Sequence, residues 1–146
     1  MSKTFTRVLV TLTMAVASLV TTGTVQAQDF KVIVNSANAT ASLSVGEAAK
    51  IFLKESAKFP GGSAATPVDQ GKSSPVRTAF SKAVIGRSVG AVETYWQQQI
   101  FSGKEVPPAA KSSDDDVVAF VKANPGAIGY VSAGASTAGV KVIDVK

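Results

Sequence analysis

The segment Asn124-Pro125-Gly126-Ala127-Ile128-Gly129-Tyr130-Val131 is predicted to join the end of a helix to a buried strand. Proline cannot continue a helix and glycine favours a turn, so Asn124-Pro125-Gly126 indicates where the helix ends. The residues that follow are small or apolar, which indicates a strand buried in a core. A helix that runs directly into such a strand is typical of an α/β protein.

The sequence on either side continues this alternation of helices and strands. Upstream, Ser113 caps a helix whose first turn is Asp114-Asp115-Asp116, where carboxylates complement the helix dipole. Downstream, the alternating segment 140–145 predicts a last strand. Further strands are predicted at 30–34 and around Val68, and further helices after the caps Ser44, Ser74 and Ser88. We therefore predict an α/β fold with one small mixed sheet flanked by helices.

Four aromatic and apolar positions are predicted to be structural. Val92, Trp96 and Ile100 recur every four residues, which favours a buried helix face over an aromatic platform for a ligand. Tyr130 lies in an apolar strand, where its hydroxyl needs a hydrogen-bond partner if it is buried.

The first 27 residues are predicted to be a secretory signal peptide. A basic start at Lys3 and Arg7 precedes the apolar run 8–20, and Val25-Gln26-Ala27 is a small-residue cleavage signal. The run is shorter than the roughly 20 apolar residues that cross a bilayer, and an uncleaved anchor is the alternative. We therefore expect a periplasmic or secreted chain in which residues 28–146 form a single domain.

The composition excludes several kinds of chemistry. With no cysteine and no histidine, the chain cannot form disulfides, use a catalytic thiolate or assemble a Ser-His-Asp triad. Without Lys3 and Arg7 the net charge falls from +5 to about +3, and no basic run indicates nucleic-acid binding. Glu93 and Glu105 have no evident carboxylate partner, and Asp114-Asp115-Asp116 is better explained by the helix dipole than by a metal. We predict no enzyme activity, no metal site and no cofactor.

A candidate anion site follows the predicted strand around Val68, in the segment 70–77, here called the serine loop. Ser73-Ser74-Pro75-Val76-Arg77 predicts a loop entering a helix, with Ser74 as N-cap and Pro75 at the first helical position. The first amides of a helix lack intrahelical partners and carry partial positive charge, so such a start can bind an anion. A simple helix cap is the alternative. The candidate ligand-binding residues are Gln70, Gly71, Lys72, Ser73, Ser74 and Arg77.

Several landmarks occur in an order that resembles a known family. Val34-Asn35 follows the first strand, Pro67-Val68-Asp69 precedes the serine loop, Phe80 lies in the next helix, and 125–131 follows the last helix. This order resembles the phosphate-binding protein of the ABC phosphate transporter, a type II periplasmic binding protein. Because two-lobed members of that family are much longer, the resemblance implies a single lobe, a short form of such a protein.

The resemblance carries one site residue over directly. The family's loop resembles Arg-x-Asp-Gly-Ser-Gly-Thr with a phenylalanine one helical turn later, and anchoring on Phe80 places its serine at Ser74. Gln70 and Lys72 stand at its arginine and aspartate positions. Lys72 and Arg77 supply positive charge at other places than the family's own.

Two functions are consistent with these observations. The leading hypothesis is a secreted solute-binding-like protein that binds phosphate or a similar oxyanion, with millimolar affinity for an isolated lobe. The alternative is a non-enzymatic interaction or accessory module that keeps the fold without a ligand. The expected partners are the oxyanion and a transporter membrane subunit, a second lobe or a second copy of the chain. No nucleic acid and no membrane span after signal cleavage are expected.

Overall fold

The computed structural model describes residues 29–146, and the predicted signal peptide lies outside these residues. Within them no helix has the length and apolarity needed to cross a bilayer. The strands are β1 (Phe30–Asn35), β2 (Ser42–Leu43), β3 (Thr66–Gln70), β4 (Ala109–Lys111), β5 (Ala127–Ser132) and β6 (Val140–Val145). The helices are α1 (Val45–Phe52), α2 (Pro75–Phe80), α3 (Val89–Phe101) and α4 (Asp114–Ala123), and a π-helical turn at Ser81–Ile85 continues α2.

The six strands form one mixed sheet in the order β2-β6-β1-β5-β3-β4, which confirms the predicted fold class. β1 runs antiparallel to β5 and β6, whereas β6 is parallel to β2 and β3 is parallel to both β4 and β5. In this register Val32 of β1 lies between Tyr130 and Ile143. The carboxyl ends of β3, β4 and β5 therefore lie at one edge of the sheet, from which α2 and α4 begin.

The sheet has an apolar core on each face, because alternate side chains of a strand point to opposite sides. On one face Phe80 of α2 stacks on Tyr130, with ring centroids 4.0 Å apart, and Phe52 of α1 meets Phe80 edge-on at 4.6 Å. On the other face Val117 and Val121 of α4 are fully buried against β3 and β5. The segment 127–131 is covered on both sides, as its apolar sequence predicts.

Serine side chains cap the start of all four α-helices in the described part of the chain, each accepting from a backbone amide three residues later. Glu47 completes a capping box with Ser44, as their spacing predicts. Gly86, with φ of 73°, ends the helical segment that starts at Pro75. These hydrogen bonds at the helix starts confirm the N-caps predicted at Ser44, Ser74, Ser88 and Ser113.

The burial of α3 differs from its predicted pattern. Val92 and Trp96 are buried as predicted, but Ile100 is 53% exposed. The apolar core does not extend to the last turn of α3. Ile100 therefore keeps the four-residue spacing of Val92 and Trp96 but has no core surface to pack against. β4 was not predicted, because Ala109–Lys111 has no strand pattern of its own and forms an edge strand by pairing with β3.

Candidate functional site

The candidate site lies where β3 and β4 end. β3 leads through the serine loop into α2, and β4 leads through Ser112 and Ser113 into α4. Because β3 and β4 are parallel neighbours, both helix starts lie at the same edge of the sheet. Open α/β sheets commonly bind ligands at this edge. The structure thus brings the serine loop beside the acidic first turn of α4, a neighbour that the sequence pattern did not indicate.

The Gln70 side chain ties the serine loop to α4 and β5. Its Nε2 donates to Asp114 Oδ1 at 2.9 Å and to the carbonyl oxygen of Tyr130 at 3.0 Å. Its Oε1 accepts from Ser74 Oγ at 3.0 Å. Gln70 is only 3% exposed. Its side-chain amide is therefore engaged within the protein and holds the loop in place.

Arg77 is also directed inward. Its Nη2 lies 2.6 Å from Glu93 Oε1 and 3.4 Å from Asp69 Oδ2, and its Nη1 donates to the carbonyl oxygen of Gln70 at 3.2 Å. The Arg77 side chain is only 7% exposed. The guanidinium charge is thus paired with two carboxylates, and an anion would have to compete with both of them.

Tyr130 and Asp69 form a hydrogen-bonded pair beneath the loop. The Tyr130 hydroxyl donates to Asp69 Oδ1, which also accepts from the backbone amide of Gln70 at 2.8 Å. Burial, together with the negative charge of Asp69, raises the pKa of Tyr130 above its usual range, so the phenol stays neutral. Asp69 is thus the partner that the buried hydroxyl of Tyr130 needs. Asp69 was not a predicted site residue, although its position directly before the serine loop, at the end of β3, was a signal for it.

The outward part of the serine loop is formed by Gly71, Lys72 and Ser73. The Gly71 amide donates to the carbonyl oxygen of Lys111 at 3.1 Å. Within residues 29–146, the backbone amides of Lys72 and Ser73 donate no hydrogen bond, and both residues are exposed. The structure therefore divides the candidate residues into an inward group, Gln70, Ser74 and Arg77, and an outward group, Gly71, Lys72 and Ser73.

Asp114 places a negative charge beside the serine loop, in contact with the Gln70 side chain. Its Oδ1 accepts from Gln70 Nε2 and from the backbone amide of Ser132, the latter at 3.1 Å. Burial opposes ionisation of Asp114, but the hydrogen bonds from Gln70 and Ser132 outweigh it and hold the pKa of Asp114 below its usual value. The carboxylate is therefore ionised near neutral pH, and its charge reduces the attraction of the site for an anion. Among residues 29–146 no group of carboxylates has the arrangement of a metal site.

Replacing Asp114 with asparagine is expected to flatten the loss of stability in acid. Because folding lowers the pKa of Asp114, its carboxylate stabilises the fold above the unfolded value of about 4. That contribution disappears as the pH falls through the lower, folded value. Urea unfolding between neutral pH and about pH 3 should show a steeper loss for the wild type than for Asp114→Asn. Asp115→Asn, an exposed neighbour, is the control, and equal slopes for wild type and Asp114→Asn would contradict this role.

Comparison with known proteins finds similar folds among solved structures. No protein-family profile and no curated protein matches the sequence. Solved structures do match. An ABC-type phosphate transport receptor from Vibrio cholerae is 19% identical, with a TM-score of 0.61 over 80% of this chain and 46% of that protein. PstS from Borrelia burgdorferi is 15% identical, with a TM-score of 0.63 over 81% of this chain and 47% of that protein.

A third similar structure contains a ligand. It is a putative phosphate ABC transporter substrate-binding protein from Clostridium perfringens with bound phosphate, 17% identical, with a TM-score of 0.60 over 80% of this chain and 44% of that protein. This chain thus spans less than half the length of the proteins it matches. At such identities the likeness establishes the fold, and it confirms the resemblance inferred from the order of the sequence landmarks. The described residues thus share the fold of a part, less than half, of each of these phosphate transport proteins.

Proposed function

We propose that this chain is a periplasmic or secreted solute-binding-like protein that binds a phosphate-like oxyanion at the outward part of the serine loop and catalyses no reaction. The observation that carries the proposal is the exposed Lys72 beside the two amides of Lys72 and Ser73. These groups lie at the carboxyl end of β3, and open α/β sheets commonly bind ligands outside the carboxyl ends of their strands. The likeness to binding proteins of phosphate transport supports the same class of ligand.

The expected affinity is low. Two amides and the Ser73 hydroxyl would each contribute about 1 kcal/mol, and a hydrogen bond from the Lys72 ammonium about 2 kcal/mol. Association costs on the order of 4 kcal/mol or more, and the nearby Asp114 carboxylate opposes a second negative charge. Little net free energy remains, so we expect a dissociation constant no tighter than about 1 mM. Tighter binding would need a second wall that excludes water, supplied by a second lobe, a second copy or a transporter membrane subunit.

A phosphate titration followed by amide NMR tests this proposal. With ionic strength held constant by chloride, the Lys72 and Ser73 amide signals should shift progressively as phosphate is added up to 20 mM. Lys72→Gln should weaken binding by about 10-fold, because it removes a charged donor. Lys58→Gln, which removes an exposed lysine elsewhere, should leave the titration unchanged. Sulfate in a parallel titration separates a general oxyanion site from one selective for phosphate. No shift at 71–74 up to 20 mM of either anion would rule out the ligand.

The second candidate is an interaction module that keeps the fold without a ligand. Two observations favour it. Gln70 and Arg77 are engaged within the protein, and Ile100, Phe101 and Val106 expose apolar surface away from the serine loop. A null phosphate titration together with a specific protein contact at the exposed apolar residues would support this candidate over solute binding.

A further inference from the structure

The last strand of the sheet, β4, has one open side. It pairs with β3 and has no other neighbour in the strand order of the described residues. In a parallel pair both backbone groups of a residue face the same neighbour, and those of the next residue face the other way. The Gly71 amide donates to the carbonyl oxygen of Lys111, so Lys111 faces β3, and the N–H and C=O of Ala110 face outward. The exposed residue Ala110 thus offers an unpaired backbone donor and acceptor at the sheet edge.

A groove of about 530 Å³ runs along this open side, between β4 and α4. The α4 residues that line it follow one another at intervals of three, one, three and one, so they form one stripe of the helix. They are Asp116, Ala119, Phe120, Ala123 and Asn124. α4 therefore forms a wall beside the place where a further strand would lie, about 4.8 Å from β4. The small side chains of Ala119 and Ala123 leave room for it.

The groove also contains a cation without an ion-pair partner. Lys111 Nζ lies 5.0 Å from the centroid of the Phe120 ring, so the Lys111 side chain is on the α4 side of the sheet. None of the ion pairs among residues 29–146 includes Lys111. The carboxylate of Asp116 instead accepts from Ser112 Oγ at 2.7 Å. An acidic side chain of a partner can therefore pair with Lys111, and an apolar one beside it can pack on Phe120.

We propose that the open side of β4 binds an extended segment of a partner protein, which adds a seventh strand to the sheet. The unpaired N–H and C=O of a strand edge are complementary to the backbone of another strand, so the backbone specifies this kind of occupant. The segment carries an apolar and an acidic side chain two positions apart, because residues at that spacing share one face of a strand. Both side chains then face α4.

A second copy of the chain fits this groove less well. If β4 paired with β4 of another copy about a two-fold axis normal to the sheet, both α4 helices would stand on the same face of the joined sheet. Two helix walls would then share the space beside β4, whereas a single extended segment brings no helix of its own. The groove lies on the opposite side of β4 from β3 and its serine loop, so this binding does not depend on the proposed anion binding.

A short peptide of the expected pattern tests the proposal by amide NMR. The probe is acetyl-Thr-Val-Thr-Glu-Thr-amide, added up to 5 mM to the isotope-labelled chain. The Ala110 amide signal should shift as a hydrogen bond forms. Two analogues test the backbone, one methylated at the valine and glutamate nitrogens and the other at the threonine nitrogens. Only one of these sets faces β4, so one analogue should bind at least about 10-fold more weakly than the parent and the other like the parent.

Substitutions in the chain test the two kinds of contact separately. Ala110→Pro removes the outward N–H but keeps the ladder to β3, since proline is tolerated where the N–H of an edge strand faces solvent. It should weaken peptide binding at least about 5-fold. Lys111→Gln should weaken binding of the parent peptide about 3-fold and leave binding of its glutamine analogue unchanged. Lys58→Gln, at an exposed lysine outside the groove, should have no effect. Circular dichroism checks that each variant is folded, and the methylated peptides need no variant.

Three outcomes would overturn the proposal. The first is an Ala110 signal that does not move up to 5 mM of the parent peptide. The second is equal binding of the parent and both methylated analogues, which would show contact without strand pairing. The third is an Ala110 signal that shifts with the concentration of the chain alone while sedimentation velocity shows a dimer, which would identify a second copy as the occupant.

Discussion

Replacement of Arg77 by methionine should lower the free energy of unfolding by about 3 to 5 kcal/mol, the largest effect we expect from a single substitution. Arg77 is the cation that lies between Asp69 and Glu93, and its side chain and that of Asp69 are mostly shielded from water. Removing the cation leaves the Asp69 carboxylate without a compensating charge beside Tyr130. The loss should exceed the value of the lost hydrogen bonds, since an unpaired buried charge carries its own desolvation penalty.

The control for this experiment is Lys82→Met, which makes the same kind of change at an exposed position of the π-helical turn. It should change stability by no more than about 0.5 kcal/mol. The double variant Asp69→Asn, Arg77→Met should recover part of the loss, because it also removes the uncompensated carboxylate. Urea unfolding measures all three. A loss below 1 kcal/mol for Arg77→Met would show that the ion pair is not a structural element, and would return Arg77 to consideration as an anion ligand.

Replacement of Gly129 by alanine is expected to cost about 1 to 3 kcal/mol through overpacking. A Cβ at this position of β5 would lie 2.7 Å from Val117 Cγ1 and 2.7 Å from Val68 Cγ1. Both contacts are far inside van der Waals distance, and both valines are buried in the core between the sheet and α4. The backbone or the two valines would have to move. The close approach of α4 to β5 therefore requires a residue without a side chain at position 129.

Gly46→Ala in α1 is the matched control, because a Cβ there would meet nothing within 4 Å. It should be neutral or stabilise the protein by up to about 1 kcal/mol, as alanine favours a helix. Val117→Ala should cost less in the Gly129→Ala background than in the wild type, since it makes room for the new methyl group. Thermal unfolding followed by circular dichroism measures the four variants. Equal costs of Val117→Ala in the two backgrounds would refute the steric explanation.

Local features of the fold were predictable because their hydrogen bonds join residues close together in the chain. The serine at each helix start bonds an amide three residues later, so Ser44, Ser74, Ser88 and Ser113 can be recognised without knowing the fold. The apolar segment 127–131 predicted a buried strand for a similar reason, since its composition suits burial on both faces. The mixed α/β class followed from the order of such elements along the chain.

The amino-acid sequence alone thus determined the four α-helices with their serine caps, the longer strands and the class of fold, whereas the edge strand β4 depended on its pairing with β3. Only the tertiary structure decided the roles of the candidate site residues. Arg77 pairs with Glu93, 16 residues away, and Tyr130 bonds Asp69, 61 residues away. Such pairs depend on which strands become neighbours, and that order leaves no periodic signal in the sequence. The same dependence explains why Gln70 and Arg77 face inward, why Lys72 and Ser73 remain accessible, and why the apolar repeat of α3 leaves Ile100 exposed where the core ends.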